Sequence, residues 1–504
     1  MRLQLVALKN VLKRTVFADF KRRDRYQVLA ASKWIVAARL FDQFGLLLIL
    51  AVTARFLSPE EYGKFALLSA PFFLVSATLG ALWREAVISW RGNEYALSQL
   101  LLDALPAGLI ATVFALSVTI GFGSFFVDDE IRFSASILAF TLTTAPLGEA
   151  FSALIYRRSE YALYAICILV SVLVGVAVTA LLLSFGLGVF ALAAALASQS
   201  WFRAAAMLFA SKAQAANNWN LSAFPSTCRY MAHRFVPLAL DASEKFVGVV
   251  TAGILFGPVA AGIYRAAEIV VVSMTELVAA PMRTGGLIYF RRYSGQGLSP
   301  QEIKSVAEEK FKSFLPLVFV VIVPVFAGLL IKASSLIHVF LGDVWQGAIT
   351  IAILLLIARL LAFPTFAIEP VLGMVSKLGK WEYHQFVAIL VFIGSALLLR
   401  AYDEVGVAMA AVISACYLSG VSIWLQRKYA SVDWGLTLKT SLPAYCVPVV
   451  VAVSILSFSV MLPADLIFLQ TVDLLGSIVT GSVAYFVILS ILGPRLFDPS
   501  VFST

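Results

Sequence analysis

Six basic side chains stand in apolar stretches of this chain: Arg39, Arg84, Arg203, Lys245, Arg283 and Arg359. Three carboxylates share that setting, Asp42, Asp241 and Glu276. A charge held in an apolar layer is costly unless it is paired or hydrated, so each is a candidate for function. Guanidinium groups grip phosphate through two parallel hydrogen bonds. Several such cations facing one hydrated chamber would draw in a phosphate-bearing anion. A carboxylate beside a cation changes its proton affinity when it changes partner. Asp42, Asp241 or Glu276 could therefore take up and release H+ or Na+ as the chamber changes shape. The plainer reading is internal pairing. Arg39 and Asp42 lie three residues apart, Asp241 and Lys245 lie four apart, and Glu244 stands beside them. Arg84 and Arg283 fall near the ends of their apolar runs, where a cation anchors a helix at a membrane surface. The histidines His233, His338 and His384 are far apart, and Cys167, Cys228, Cys416 and Cys446 form no CxxC pair. No zinc site, disulfide or bound cofactor is expected from them.

The elements that must carry these charges are apolar helices. Of 504 residues, 61% are hydrophobic and 13% charged, against about 25% charged in soluble domains. About 20 apolar residues cross a bilayer as a helix. Such runs lie near 34–56, 65–88, 99–122, 133–155, 161–185, 188–210, 234–256, 262–288, 314–331, 347–369, 384–399, 405–426, 442–461 and 474–492. They predict an all-α polytopic membrane protein with about 14 transmembrane helices. An even number places both termini on one side. The first 33 residues hold nine basic ones: Arg2, Lys9, Lys13, Arg14, Lys21, Arg22, Arg23, Arg25 and Lys33. That excess places the N-terminus in the cytoplasm. Further basic residues, Arg157, Arg158, Arg291, Arg292, Lys377, Lys380, Arg427 and Lys428, then fall on the same side. The net charge of +9 is thereby assigned to inner loops rather than to nucleic-acid binding. Leu5, Leu8, Leu12, Val16 and Phe20 recur every three or four residues among the basic ones. This predicts a helix lying on the anionic inner surface. The expected organisation is a basic segment at 1–33, a first lobe at 34–210, a linker at 211–233, a second lobe at 234–426 and two more helices at 440–493.

One turn is unusually well specified. In LSPEEYG, Ser58 caps a helix, Pro59 fits its first turn and Glu61 completes an S-x-x-E box, with Leu57 and Tyr62 placed to staple it. A second box, Ser299 to Glu302, predicts an amphipathic helix between the eighth and ninth spans, a lever between halves. A gapless shift of 199 residues sets Asp42 on Asp241, Pro59 on Pro258, Gly63 on Gly262, Ala81 on Ala280 and Arg84 on Arg283. The shift moves six spans, an even number, which predicts two parallel repeats related by an axis along the membrane normal.

Three stretches carry a family likeness: AVTARFLSPEEYGKFALL at 51–68, FGPVAAGIYRAAEIV at 256–270, and VFLGDVWQGAITIAILLLIARLLAFP at 339–364. The chain resembles the polysaccharide-export flippases of the multidrug/oligosaccharidyl-lipid/polysaccharide (MOP) superfamily. That resemblance implies two pseudo-symmetric six-helix lobes plus two C-terminal helices, alternating access, and residence in a bacterial inner membrane. It implies an undecaprenyl-pyrophosphate-linked oligosaccharide as cargo, with a polysaccharide polymerase and chain-length proteins as neighbours. A drug or cation antiporter and a peptidoglycan-precursor flippase share the fold. A membrane polymerase or glycosyltransferase would need acidic residues in large outer loops. Here adjacent carboxylates occur at Asp128–Asp129–Glu130 and Asp403–Glu404, in short segments. The protein is therefore expected not to be an enzyme.

Overall fold

The computed structural model describes residues 33–90, 94–123, 129–212, 220–291, 300–440, 446–460 and 467–496. The expected surface helix at the N-terminus and the Ser299 cap lie outside those residues. Every regular element described is helical. In the first half these are α1 (Lys33–Thr53), α2 (Pro59–Ser89), α3 (Glu94–Gly123), α4 (Asp129–Ala139), α5 (Thr141–Arg157), α6 (Tyr161–Ser184) and α7 (Gly188–Ser211). Next come α8 (Phe224–Glu244), α9 (Val247–Phe256), α10 (Pro258–Arg291), α11 (Pro300–Ile331) and α12 (Ala333–Phe340). The remainder are α13 (Gly347–Leu361), α14 (Ile368–Met374), α15 (Leu378–Leu398), α16 (Asp403–Ala430), α17 (Trp434–Thr440), α18 (Cys446–Val460) and α19 (Ile467–Leu496).

Among the described residues, eight helices are long and apolar enough to cross a membrane, and α13 with the segment Phe363–Met374 makes a ninth, bent by 45°. Pro364 stands at that bend, where it removes a donor and clashes with the preceding turn. The other expected spans fall on α7, on α8 with α9, and on α10, α18 and α19. These include the charge-bearing ones: α10 carries Arg265, Glu268, Glu276 and Arg283. Two boundaries differ from expectation. The supposed lever after Glu302 is no separate helix, because α11 runs unbroken from Pro300 to Ile331. The helix expected to start at 234 starts at Phe224, and its Met231 sits in the core of the first lobe. The chain breaks instead at Lys245–Phe246, between α8 and α9.

The capping box at Ser58 forms as read: the Ser58 hydroxyl accepts from the Glu61 amide at 3.3 Å, and the Ser58 amide donates to the Glu61 carboxylate at 2.9 Å. Its repeat partner lies directly against it. A Cβ on Gly63 would stand 1.8 Å from the Pro258 carbonyl oxygen, and a Cβ on Gly262 would stand 2.0 Å from that of Pro59. The two repeats thus cross backbone to backbone, each glycine opposite the other's proline, as a two-fold relation requires. Around the crossing, Leu57, Tyr62, Val249, Tyr264 and Trp345 join one apolar core that spans both lobes. Trp345, fully buried, comes from the G-D-x-W turn; its Nε1–H donates to the Ala54 carbonyl at 2.9 Å and its ring meets Tyr62 edge-on at 5.8 Å. Arg55 donates to the Val339 carbonyl at 3.0 Å.

Overpacking a close contact costs about 1–3 kcal/mol, and at Gly63 the obstructing atom is backbone, which cannot swing aside. We predict that Gly63→Ala lowers the thermal unfolding temperature of the purified protein by several degrees. Gly121→Ala, where nothing lies within 4 Å, leaves it unchanged or raises it. Equal shifts for the two variants would remove the crossing as a structural constraint.

Candidate functional site: a cationic cavity in the first lobe

A cavity of about 470 Å³ lies among α1, α2, α5 and α7, with Lys245 reaching it from the break after α8. Arg39 and Asp42 come from α1, Arg84 from α2, Glu149 from α5, and Arg203 from α7. Gln199, Ser200 and Thr144 add neutral polar groups, with the Ser200 and Thr144 hydroxyls 2.7 Å apart.

Charge is unevenly shared. Asp42 pairs with Arg203, not with Arg39 three residues away. The reason is geometric: α7 faces α1 across the cavity, while a short carboxylate and a long guanidinium on one helix are free to diverge. Arg203 also donates from Nε to the Ser171 hydroxyl at 3.3 Å. Arg84 lies 3.5 Å from Glu149 and donates to the Tyr164 hydroxyl at 3.3 Å; it is part of the cavity wall rather than a surface anchor. Arg39 is exposed to the cavity and makes no ion pair among the described residues. Four cations, Arg39, Arg84, Arg203 and Lys245, face two carboxylates, Asp42 and Glu149, an excess of two positive charges. Lys245 reaches Asp241 at 3.4 Å, as their spacing predicts, but both are more than half exposed, so the pair is weak.

The remaining expected residues lie elsewhere. Arg359 lines a second cavity of about 130 Å³ in the other lobe, with Glu244, Tyr264, Glu268, Gln385 and Ser414. Glu268 there pairs with Arg265 at 2.7 Å. Arg283 pairs with Glu276 along α10 and stacks on Phe366, its guanidinium 5.8 Å from the ring centre. Neither lines the large cavity. The sequence repeat matches Arg84 with Arg283 and Asp42 with Asp241, yet only the first-lobe member of each pair faces this chamber.

Two groups of residues escaped the sequence reading. Glu149 lies in an apolar run and should have been flagged by the rule that found Arg203. Glu85, Arg234 and Glu382 carried no such signal, because they fall at the edges of the apolar runs in the sequence, where charge is ordinary. Arg234 on α8 lies 2.9 Å from Glu85 on α2 and 3.4 Å from Glu382 on α15. One guanidinium therefore ties the two lobes together at the end opposite the glycine crossing. All three side chains are roughly a third exposed, a setting in which ion pairs contribute only about 0–1 kcal/mol. The crossing end is sealed by backbone contact and a shared core; at this end the charge pairs join apolar packing of α8, whose Met231 enters the first-lobe core and whose Tyr230 meets Trp90 edge-on at 5.8 Å.

Two helical lobes, joined at a pseudo-two-fold crossing and with a charged chamber in the first, make a multi-pass membrane bundle. The family model for polysaccharide biosynthesis proteins matches residues 52–350, and the chain belongs to that family. Among solved structures, the lipid II flippase MurJ in an inward-closed conformation matches with a TM-score of 0.68 at 14% identity, over 93% of this chain and 99% of that one. An inward-facing multidrug-resistance MATE transporter matches with a TM-score of 0.64 at 14% identity, over 81% and 99%. A MOP-superfamily transporter from Pyrococcus furiosus matches with a TM-score of 0.57 at 14% identity, over 80% and 95%. At such identities the likeness is one of fold. No curated protein matches the chain.

Arg234 is the charged tie at the end opposite the glycine crossing, and its role in closure can be read directly. In a variant whose native cysteines are replaced and whose cavity carries Ser76→Cys, Arg234→Ala is expected to speed labelling by a charged thiol reagent several-fold. An unchanged rate would show that Arg234 does not close that end.

Proposed function

We propose that the protein flips an undecaprenyl-pyrophosphate-linked oligosaccharide across a bacterial inner membrane for surface or exopolysaccharide synthesis, with both termini in the cytoplasm. The observation that carries this reading is the excess of positive charge in the first-lobe cavity, with Arg39 paired to no carboxylate among the described residues. A diphosphate supplies matching negative charge. Arg39 would take it first, and Arg84 and Arg203 would join by loosening from Glu149 and Asp42. Gln199, Ser200 and Thr144 offer hydrogen bonds suited to sugar hydroxyls. A cationic drug would meet repulsion in this chamber, which argues against a drug exporter. A peptidoglycan precursor shares the diphosphate; the matched family favours the polysaccharide substrate. A polymerase and chain-length proteins are the expected neighbours.

An inside-negative potential itself favours outward passage of this cargo, by about 2.3 kcal/mol per charge at 100 mV. Of the carboxylates considered for coupling, Asp42 faces the cavity, whereas Asp241 and Glu276 do not line it. Neutralising Asp42 by H+ or Na+ would free Arg203 for the anion. Coupling at Asp42 would therefore tune binding, while the potential supplies drive.

Deletion in the native host is expected to abolish the surface polysaccharide and to accumulate lipid-linked oligosaccharide. Unchanged polysaccharide, without a second flippase, would sink the proposal, and lethality with accumulated peptidoglycan precursor would assign the other substrate. In complementation, Arg39→Gln should cut polysaccharide output at least tenfold while leaving expression and thermal stability near wild type, because it breaks no ion pair. Asp42→Asn should retain flipping with tighter binding of an isoprenyl diphosphate; weaker binding would remove Asp42 from the role assigned to it.

A further inference from the structure

The start of α15 and the end of α16 lie side by side, and beside the residues that line the second cavity they carry basic and aromatic side chains that line neither chamber. Lys380 and His384 stand one turn apart on α15, and Tyr417, Trp424 and Lys428 follow one face of α16. They form a connected row. The Lys428 ammonium sits 4.5 Å from the Trp424 ring centre, Trp424 meets His384 edge-on at 6.1 Å, and His384 Nδ1 lies 2.8 Å from the Tyr417 hydroxyl. With that hydroxyl donating to Nδ1, the ring's hydrogen sits on Nε2, which has no protein partner among the described residues. Lys380, Arg427 and Lys428 are exposed and form no ion pair among them. The nearby carboxylates are engaged elsewhere: Glu382 turns to Arg234, and Asp433 caps α17 through the Leu436 amide at 3.1 Å. Below the row, Tyr383, Phe386, Leu390 and Ile393 recur at helical spacing and are exposed, an apolar stripe suited to acyl chains.

We propose that this row is a binding site for an anionic phospholipid, its phosphate held by Lys380, Lys428 and the His384 Nε2–H, its acyl chains laid along α15. Basic pockets between transmembrane helices near a polar interface take such headgroups, each cation contributing about 1 kcal/mol. Tryptophan and tyrosine at that depth suit the headgroup layer. The site stands apart from the flippase reading and does not depend on it.

The test is native mass spectrometry of the purified full chain with cardiolipin, phosphatidylglycerol or phosphatidylethanolamine added. The wild type is expected to retain the two anionic lipids well above the zwitterionic one. Lys380→Gln with Lys428→Gln should lower anionic-lipid retention about thirtyfold, and the exposed Lys304→Gln, outside the row, should leave it unchanged. Thermal unfolding of the double variant near the wild-type temperature certifies its fold. Equal retention by the double variant, an equal loss in Lys304→Gln, or no preference for anionic lipid would each overturn the site. Displacement of cardiolipin by equimolar isoprenyl diphosphate would also overturn it, by giving the row to transported cargo.

Discussion

The close passage of two glycines, Gly63 and Gly262, is the contact on which the rest of the molecule is arranged. With no side chain on either, α2 and α10 meet at their first turns, and each Cβ position is occupied by the other helix's proline carbonyl. From that crossing α2 runs on to the chamber, which it walls together with α1, α5 and α7. The shared apolar core, Trp345 and the Arg55 hydrogen bond gather around the crossing because backbone contact there excludes both water and lipid. At the other end no backbone crossing occurs among the described residues: α8 packs Met231 into the first-lobe core, and Arg234 bridges to Glu85 and Glu382 through partly exposed carboxylates. The two ends therefore close by different means, one by backbone contact and one by side chains alone.

The second asymmetry is electrical. The repeat supplies both lobes with comparable residues, but the first lobe gathers its cations around a chamber while the second pairs Arg265 with Glu268 and Arg283 with Glu276. A neutralised lobe and a cationic lobe offer an anion only one place to sit. Polar groups that survive in a bilayer do so by pairing or by hydration, and the two lobes illustrate one solution each.

Much of this was legible in the order of residues. The Ser58 box and the Pro–Gly pair at 258–262 announced the crossing turns, and a shift of 199 aligned the very residues that touch. The apolar runs announced the helices. Partners were less readable: Arg39 and Asp42 are neighbours by spacing, yet Asp42 turns to Arg203 on another helix. Glu149 stands in an apolar run and was readable; Arg234 was not, because a charge at the edge of an apolar run resembles any other surface charge.

The sequence by itself determined that this is an all-α membrane protein of two related halves, since hydropathy, capping and a repeat interval are properties of local chain and of its period. Tertiary structure alone decided which charges meet, which end is sealed and which lobe is left cationic. Those depend on how helices hundreds of residues apart face one another, and side-chain reach across a cavity leaves no mark in local spacing.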